Sequence, residues 1–328
     1  MNLNPYRRLL LKTAAFAGLG LQGLPARASI GKVFYGFPKG GLATPLADTV
    51  LPRLAGSYTP TLDVNMTYLP GNTTARAFEA VHKGPADGSQ VLMAPSSALT
   101  LMPHLRTLPN VDPVKAFTPV IPLLELTFVF CVGPSVPAAV NSLEAYLRWV
   151  SDTPAKGTYG VPGLGTVAHL VGMVLARTKN AAINAVAYQG MVPLMKDLSS
   201  GAQPAGVVFL SSAVEGMKSG ALRPLFSTAD QRLPDMPQMP LLREVLSTDM
   251  VFNESMGFYL PAATPEAKVN ELNAAAQDVL RSREMAEFNR ATWTRSVPVS
   301  APQFAAAIAE ERKRWLAVTK VERFTLEG

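Results

Sequence analysis

The chain has 328 residues, of which 48% are hydrophobic and 16% are charged, and its formal net charge is +6. This apolar content is enough for a large packed core and excludes a disordered chain, while Gly and Pro without a fixed period exclude a collagen-like or repeat architecture. Residues 1–28 hold four basic and no acidic side chains, which leaves 26 of the 30 basic side chains against 24 acidic ones. That balance excludes the basic surface of a nucleic-acid-binding protein, so we expect no nucleic acid partner.

Residues 1–28 have the pattern of an export signal. The basic pair Arg7-Arg8 precedes an apolar segment, residues 13–24, and a small-x-small cleavage site that ends at Ala28. The apolar segment is shorter than the about 20 residues that a membrane-spanning helix needs, which favours a cleaved signal over a retained anchor. The arginine pair is typical of twin-arginine signals, and an ordinary secretory signal is the alternative. We therefore expect a periplasmic protein.

After the signal, short β-rich runs alternate with amphipathic stretches, and the turns between them carry Gly, Pro, Asn and Asp. This alternation predicts an α/β fold with a mainly parallel sheet. The predicted strands are residues 32–35, 63–68, 90–94, 127–132, 158–161, 185–187, 205–209, 222–227 and 257–260.

Two helices have clear start signals. Thr44-Pro45 and Thr264-Pro265 each offer an N-cap hydroxyl followed by a proline at the first helical position, where the missing N–H costs nothing. Near the C-terminus an apolar stripe, interrupted by Glu311, predicts a helix that faces the core. The residues of that stripe are Phe304, Ile308, Trp315 and Val318.

Residues suited to catalysis or metal binding are few. Cys131, the one cysteine, lies in an apolar run, so we predict a buried core thiol. The three histidines form no H-E-x-x-H motif, and neither C-x-x-C nor G-x-S-x-G is present. We therefore expect no catalytic activity, no metal and no cofactor.

Three segments share one layout, in which a predicted strand enters a Gly, Pro or Ser loop that opens a helix: residues 36–45, 94–98 and 161–169. Such loops direct backbone N–H groups and the positive end of a helix dipole at the carboxyl edge of a sheet, where open α/β sheets bind ligands. We therefore predict an anion pocket suited to carboxylates. The alternative is that these Gly and Ser residues are only turn and cap residues. Lys39 is either a cation at the pocket mouth or a solvated side chain, and His169 faces either the ligand or a capping partner.

The third loop also matches a dinucleotide fingerprint, because Gly163-x-Gly165-x-x-Ala168 follows a strand and opens a helix. An exported or intracellular nucleotide-dependent oxidoreductase is therefore the alternative function. The acidic residue expected about 20 positions later for the ribose is missing, since no Asp or Glu lies between Asp152 and Asp197. This favours the anion pocket.

A set of short motifs covers nearly the whole chain after the signal. These motifs are Phe37-Pro38-Lys39-Gly40-Gly41, Pro70-Gly71, Asp87-Gly88, Pro95-Ser96-Ser97, Asp112-Pro113-Val114-Lys115-Ala116-Phe117, Gly163-x-Gly165-Thr166-x-x-His169, Tyr188-x-Gly190, Leu233-Pro234-Asp235-x-Pro237 and Pro261-Ala262-Ala263-Thr264-Pro265. In this order and spacing the chain resembles the solute receptors of tripartite tricarboxylate transporters, the TctC-like or Bug family of periplasmic binding proteins.

The resemblance implies a two-lobed, type II-like periplasmic binding protein fold, in which each lobe is a mixed, mostly parallel sheet flanked by helices. It places lobe 1 at residues 29–130 and 256–328, and lobe 2 at residues 131–255. It further implies a monomer that closes by a hinge on a small carboxylate solute and delivers it to a membrane permease or signals its presence. The ligand-binding residues carried over by position are Phe37, Lys39, Gly40, Gly41, Leu42, Ala43, Ser96, Ser97, Pro162, Gly163, Gly165, Thr166, Val167, His169, Tyr188 and Gly206.

The first loop departs from the pattern of the family. The family loop usually continues Gly-Gly-Gly-Thr-Asp, whereas this chain has Gly40-Gly41-Leu42-Ala43-Thr44, and Lys39 stands where Pro is usual. Loss of the Asp and gain of a Lys favour a more anionic or differently shaped solute.

Overall fold

The computed structural model describes residues 30–322 except residue 60, residues 72–73 and residues 106–111. The predicted export signal lies outside the described residues. No helix within the described part of the chain is both long and apolar enough to cross a membrane.

The described residues form ten strands and thirteen α-helices. The strands are β1 (Lys32–Tyr35), β2 (Thr67–Tyr68), β3 (Gln90–Pro95), β4 (Phe117–Leu126), β5 (Phe128–Val132), β6 (Thr158–Val161), β7 (Asn184–Ala187), β8 (Ala205–Phe209), β9 (Arg223–Ser227) and β10 (Glu254–Pro261). The helices are α1 (Ala43–Leu54), α2 (Ala75–His82), α3 (Ser97–Thr100), α4 (Met102–Leu105), α5 (Pro113–Ala116), α6 (Leu143–Asp152), α7 (Val167–Thr178), α8 (Met191–Ser200), α9 (Leu210–Lys218), α10 (Leu242–Leu246), α11 (Glu266–Leu280), α12 (Arg283–Thr292) and α13 (Ala301–Glu322).

The strands form two five-stranded sheets with the same plan. The first has the order β2-β1-β3-β10-β4 and the second the order β7-β6-β8-β5-β9. In each, one strand next to the edge runs antiparallel to its neighbours: β10 in the first sheet and β5 in the second. The predicted α/β class with mixed, mostly parallel sheets is therefore confirmed.

The chain changes sheet twice. Thr127 is the single residue between β4 of the first sheet and β5 of the second, and residues 228–253 lead back from β9 to β10. The first sheet is therefore built from both ends of the chain. The first change lies a few residues before the predicted boundary at residue 131, and β10 begins two residues before the predicted return at residue 256.

Alternation along the strands divides the core between the two faces of each sheet. In β1, Val33 and Tyr35 pack in one apolar cluster, and Phe34 between them packs in the cluster on the opposite face. In β5, Phe130 and Cys131 face opposite clusters in the same way. Cys131 is fully buried, so the predicted core thiol is confirmed.

Both predicted helix starts are wrong by one or two residues. Helix α1 begins at Ala43, and Thr44 instead accepts a hydrogen bond from the Gly40 N–H at 2.8 Å through its hydroxyl. Helix α11 begins at Glu266, because Pro265 holds an extended ψ of 137° at the N-cap. The buried Thr264 hydroxyl has no hydrogen-bond partner among the described residues.

The C-terminal helix α13 packs against both halves of the molecule. Phe304 and Ile308 join the apolar cluster on the first sheet. Trp315 and Val318 join the cluster that contains much of the second sheet, where the Trp315 ring lies 6.1 Å from that of Phe252. The predicted core-facing stripe is confirmed, and this helix connects the two lobes.

Candidate functional site

A cavity of about 60 Å³ lies between the two sheets. One ordered water needs about 10–15 Å³ by the same measure, so the cavity has room for several waters or a small organic molecule. Its lining comes from both sheets. The lining residues are Tyr35, Phe37, Pro38, Gly40, Gly41, Leu42, Ala43, Pro95, Ser97, Phe128, Pro162, Thr166, Gln189, Gly190, Met191, Val192, Pro193, Phe209, Glu254 and Met256.

The loop after β1 forms one wall of this cavity. Gly40 has φ +122° and Gly41 has φ +59°, backbone conformations that residues with a Cβ rarely adopt. The Thr44 hydroxyl accepts the Gly40 N–H and lies 2.8 Å from the Tyr68 hydroxyl. The two glycines therefore bend the chain into the cavity, and Thr44 fixes the bend.

Three helices of ten or twelve residues begin at the cavity: α1 at Ala43, α7 after its N-cap Thr166, and α8 at Met191. The first N–H groups of a helix have no acceptor within it, and its N-terminus carries a partial positive charge. Each such end stabilises an anion by about 0.3–1 kcal/mol when exposed and by more when partly buried. The lining therefore favours an anion, although no Lys, Arg or His of the described residues belongs to it.

Loops from the two sheets touch across the mouth of the cavity. A methyl group built on Gly40 would lie 2.9 Å from Val192 Cγ2, and one built on Gly190 would lie 3.6 Å from Pro38 Cδ. Gly40 and Pro38 belong to the loop after β1, whereas Gly190 and Val192 follow β7. The loops of the two sheets therefore lie close together beside the cavity.

Two neighbouring serines at the end of β3 face different surroundings. Ser97 lines the cavity, and its backbone N–H donates to Glu254 Oε2 at 3.3 Å. Ser96 lies outside the lining, and its hydroxyl approaches both carboxylate oxygens of Glu311, at 2.9 and 2.8 Å. The Thr100 hydroxyl, at 2.6 Å, and Trp315 Nε1, at 3.0 Å, donate to the same carboxylate. This carboxylate therefore joins the end of β3 to helix α13.

Glu254 is the one acidic residue of the lining, at the first position of β10. It is only 6% exposed, and burial is the main cause that raises its pKa to about 8. The nearby charge of Glu311 raises the pKa further, and the hydrogen bonds from Ser97 oppose the rise. At pH 7 the carboxyl group of Glu254 is therefore protonated and neutral in most molecules.

The loop that joins β6 to α7 satisfies most of its polar groups internally. The Thr166 hydroxyl donates to the Gly163 carbonyl at 2.8 Å and accepts the His169 N–H at 3.3 Å. The Gly165 N–H donates to His169 Nδ1 at 3.2 Å. Burial lowers the pKa of His169 to about 4, which keeps Nδ1 unprotonated and able to accept this hydrogen bond. His169 thus fixes the loop, and of the predicted residues here Pro162 and Thr166 line the cavity.

The structure places the predicted site residues in two groups. Eight line the cavity: Phe37, Gly40, Gly41, Leu42, Ala43, Ser97, Pro162 and Thr166. The others lie outside the lining: Lys39, Ser96, Gly163, Gly165, Val167, His169, Tyr188 and Gly206. Among these, Lys39 is exposed, the Tyr188 hydroxyl donates to Asp197 at 3.1 Å, and Gly206 lies inside β8.

Several lining residues were not predicted. The start of α8 follows β7 through Gly190, and the Tyr188-x-Gly190 motif was the available signal for it. Glu254 and Met256 precede the predicted strand 257–260, so the sequence pattern predicted neither a strand nor a site at these residues. Phe128 and Phe209 were predicted as strand residues, and their position beside the cavity depends on the packing of the two sheets.

Two lobes that close on a cavity between them define the class of solute-binding proteins. Residues 67–323 match the family of tripartite tricarboxylate transporter family receptors (TctC), and the chain belongs to that family. It is 26% identical to the protein BugT of Bordetella pertussis over 74% of each chain. It is also 26% identical to a Cupriavidus necator protein of the gbd 5′ region over 93% of each chain.

Solved structures share the fold. An R. palustris protein with adipate superposes with a TM-score of 0.82 at 24% identity, covering 91% of this chain and 99% of that one. MatC from Rhodopseudomonas palustris with bound malate superposes with a TM-score of 0.77 at 22% identity, covering 90% and 99%. These likenesses establish the two-lobed fold of the chain.

Proposed function

We propose that this protein is a periplasmic receptor that captures a small carboxylate solute in the cavity between its lobes. It then delivers the solute to a tripartite tricarboxylate-type permease or signals its presence. The observation that carries the proposal is the convergence of the α1, α7 and α8 N-termini on one cavity walled by both sheets. These helix ends supply N–H donors and positive potential without a basic side chain, which suits a carboxylate.

Family membership and the bound molecules of two fold relatives support the same solute class. One relative was solved with adipate and another with malate, and both molecules are dicarboxylates. The residues of this chain at the cavity differ in detail, so we propose the class of solute rather than either molecule.

Capture occurs by hinge closure in this proposal. The lobe that holds the first sheet moves against the lobe that holds the second sheet, about the two crossings at Thr127 and within residues 228–253. The contacts of Gly40 with Val192 and of Pro38 with Gly190 form on closure. As a monomer, the protein needs no second copy to complete the cavity.

Binding without catalysis is also part of the proposal. Cys131 is buried away from the cavity, and burial raises its pKa, which suppresses the thiolate. Gly163 and Gly165, on which the dinucleotide hypothesis depends, lie outside the lining, and the Gly165 N–H is already bonded to His169. No group of three or more His, Cys, Asp and Glu side chains among the described residues could hold a metal ion.

Calorimetric titration of the protein purified from the periplasm with malate and adipate tests the proposal. Thr166→Ala removes the N-cap of α7 at the cavity, and Ser142→Ala removes the matched N-cap of α6, outside the lining. Each variant loses about 1 kcal/mol of stability. We expect only Thr166→Ala to weaken binding, by about tenfold. Equal weakening by both variants would contradict the assigned site.

A further inference from the structure

Glu254 lies between two spaces. On one side it lines the solute cavity, together with Ser97 and Met256. On the other side it lines a second crevice of about 320 Å³, the rear crevice, which Glu311 and Arg314 also line. Glu254 therefore borders both the solute cavity and this crevice.

Burial and the nearby Glu311 disfavour the negative charge of Glu254. Glu311 on α13 raises the pKa of Glu254, as does burial itself. Tyr35 on β1 and Tyr259 on β10 are close enough that the charge of Glu254 raises the pKa of each hydroxyl. Ser97 on α3 is the neighbour that hydrogen-bonds to the carboxyl group and favours its charged form.

No described Lys or Arg forms an ion pair with Glu254. Arg314 lines the rear crevice. Burial raises the pKa of Glu311, and the charge of Arg314 opposes that rise. Arg295, near the same crevice, is paired with Glu125. Asp230 adds another acidic group to the crevice. A negative charge on a solute in the cavity would therefore lie near Glu254, and no cation of the described lining would compensate it.

This leaves a conflict between the solute and the lining. The helix N-termini favour a carboxylate, but an ionised Glu254 in the same low-dielectric cavity would repel it. Two carboxyl groups coexist at short range when one of them keeps a proton. A protonated carboxyl group is also a hydrogen-bond donor, which an acceptor-only carboxylate solute needs.

We propose that Glu254 keeps its proton in the cavity and that its O–H group donates a hydrogen bond to a carboxylate oxygen of the solute. The inference rests on the proposed function and names Glu254 as a specificity-determining residue of the cleft. The O–H bond of Glu254 is retained, so no covalent bond changes. At pH values above its pKa, Glu254 is ionised before binding and takes up one proton from solvent through the rear crevice.

The inference separates two chemical classes of solute. A protonated Glu254 favours solutes with an acceptor at the end that reaches β10, such as a second carboxylate. An ionised Glu254 would instead pair with an ammonium group of an amino acid. The variant Glu254→Gln distinguishes them, because its amide N–H still donates but can no longer ionise.

Titration with malate, adipate, citrate, benzoate and glutamate at pH 6.5 and pH 9.5 tests the inference. We expect the wild type to bind one or more of the simple carboxylates about tenfold or more weakly at pH 9.5. Glu254→Gln should bind the same probe at both pH values within about threefold. Glu125→Gln, which changes an acidic residue of the rear crevice outside the cavity lining, should keep the wild-type pH dependence.

The other outcomes overturn the inference in different ways. Wild-type affinity that is equal at both pH values shows that protonation of Glu254 has no role. Binding of glutamate alone, lost in Glu254→Gln, shows an ionised Glu254 paired with an ammonium group. Binding of no probe at either pH overturns the proposed function, and the inference with it.

An infrared difference spectrum of wild type minus Glu254→Gln at pH 7 distinguishes failure of the inference from failure of the proposed function. It needs no solute. A band from a protonated carboxyl group supports the inference even before a solute is known. Its absence overturns the inference and leaves the proposed function standing.

Discussion

The hydroxyl of Ser96 lies 2.9 and 2.8 Å from the two carboxylate oxygens of Glu311, a residue 215 positions later in the chain. The contact joins the end of β3 to helix α13, whose apolar side chains pack against both lobes. Ser97, the next residue, faces the cavity and Glu254 instead. We therefore propose different roles for the adjacent serines, one in stability and one in binding.

Ser96→Ala and Ser97→Ala test this division. Ser96→Ala removes a donor to a buried carboxyl group, and we expect it to lower the free energy of unfolding by about 1–3 kcal/mol. It should leave solute affinity within about twofold, while Ser97→Ala lowers affinity about five- to tenfold with a smaller loss of stability. Urea unfolding and calorimetric titration measure the two effects. Loss of affinity in Ser96→Ala at unchanged stability would refute the assignment.

We expect closure of the mouth to depend on Gly40. Gly40→Ala strains the backbone at φ +122° and places a methyl group 2.9 Å from Val192 Cγ2 in the opposite lobe. We expect solute affinity to fall about tenfold or more, because the closed form is disfavoured. Titration of the variant with the wild-type solute measures this fall.

Gly220→Ala is the matched control for Gly40→Ala. It also has a positive φ, +76°, but its methyl group would enter open space. Both variants should lose about 1–2 kcal/mol of stability. If Gly220→Ala weakens binding as much as Gly40→Ala does, backbone strain rather than the contact with Val192 explains the effect.

The buried His169 gives a pH dependence of stability. Burial lowers its pKa to about 4 in the folded protein, against 6.5 for the free side chain. Between these values the unfolded state binds more protons, so the contribution of His169 is present above pH 6.5 and is lost as the pH falls towards 4. The loss is on the order of 2 kcal/mol.

Urea unfolding of wild type and His169→Gln between pH 4 and 7 isolates this contribution. Glu254 contributes the opposite slope, because its raised pKa makes stability fall as the pH rises between about 4.5 and 8. Subtracting the free energy of unfolding of His169→Gln from that of wild type removes the contribution of Glu254, which both proteins share. This difference in free energy should shrink as the pH falls. A difference that stays constant with pH would contradict a neutral His169 whose Nδ1 accepts a hydrogen bond.

Cys131 reports on unfolding of the second sheet. It is fully buried in β5, and burial raises its pKa, so both access and thiolate formation are suppressed. We expect a thiol reagent to label the protein in urea and to leave the native protein unlabelled. Stoichiometric labelling of the native protein would show that β5 opens readily.

Much of the fold could be predicted because its strands have strong local patterns. β1, β6 and β8 have the predicted bounds. β4 was missed since Pro119 and Pro122 interrupt its apolar run, and proline is tolerated there because β4 is an edge strand with shifted register against β10. Pairing with a distant strand, rather than local sequence, specifies β4.

The site was harder to predict because it depends on side-chain direction. Nothing in Pro95-Ser96-Ser97 indicates which serine faces Glu311 and which faces the cavity. Glu311 interrupts an apolar stripe, but its donors Ser96 and Thr100 are more than 200 residues away in the chain. Glu254 begins a strand whose apolar pattern starts later, so only the packing of the two sheets brings it to the cavity.

Thermal unfolding of the purified protein with and without candidate solutes tests the central claim most directly. The panel comprises mono-, di-, tri- and aromatic carboxylates, with NAD and NADP included for the alternative function. A solute that binds the folded state raises the midpoint by mass action, by an amount that grows with its concentration. We predict such a rise with at least one carboxylate, and none with NAD or NADP. A rise with NAD or NADP alone would contradict a carboxylate receptor and favour the nucleotide-dependent oxidoreductase.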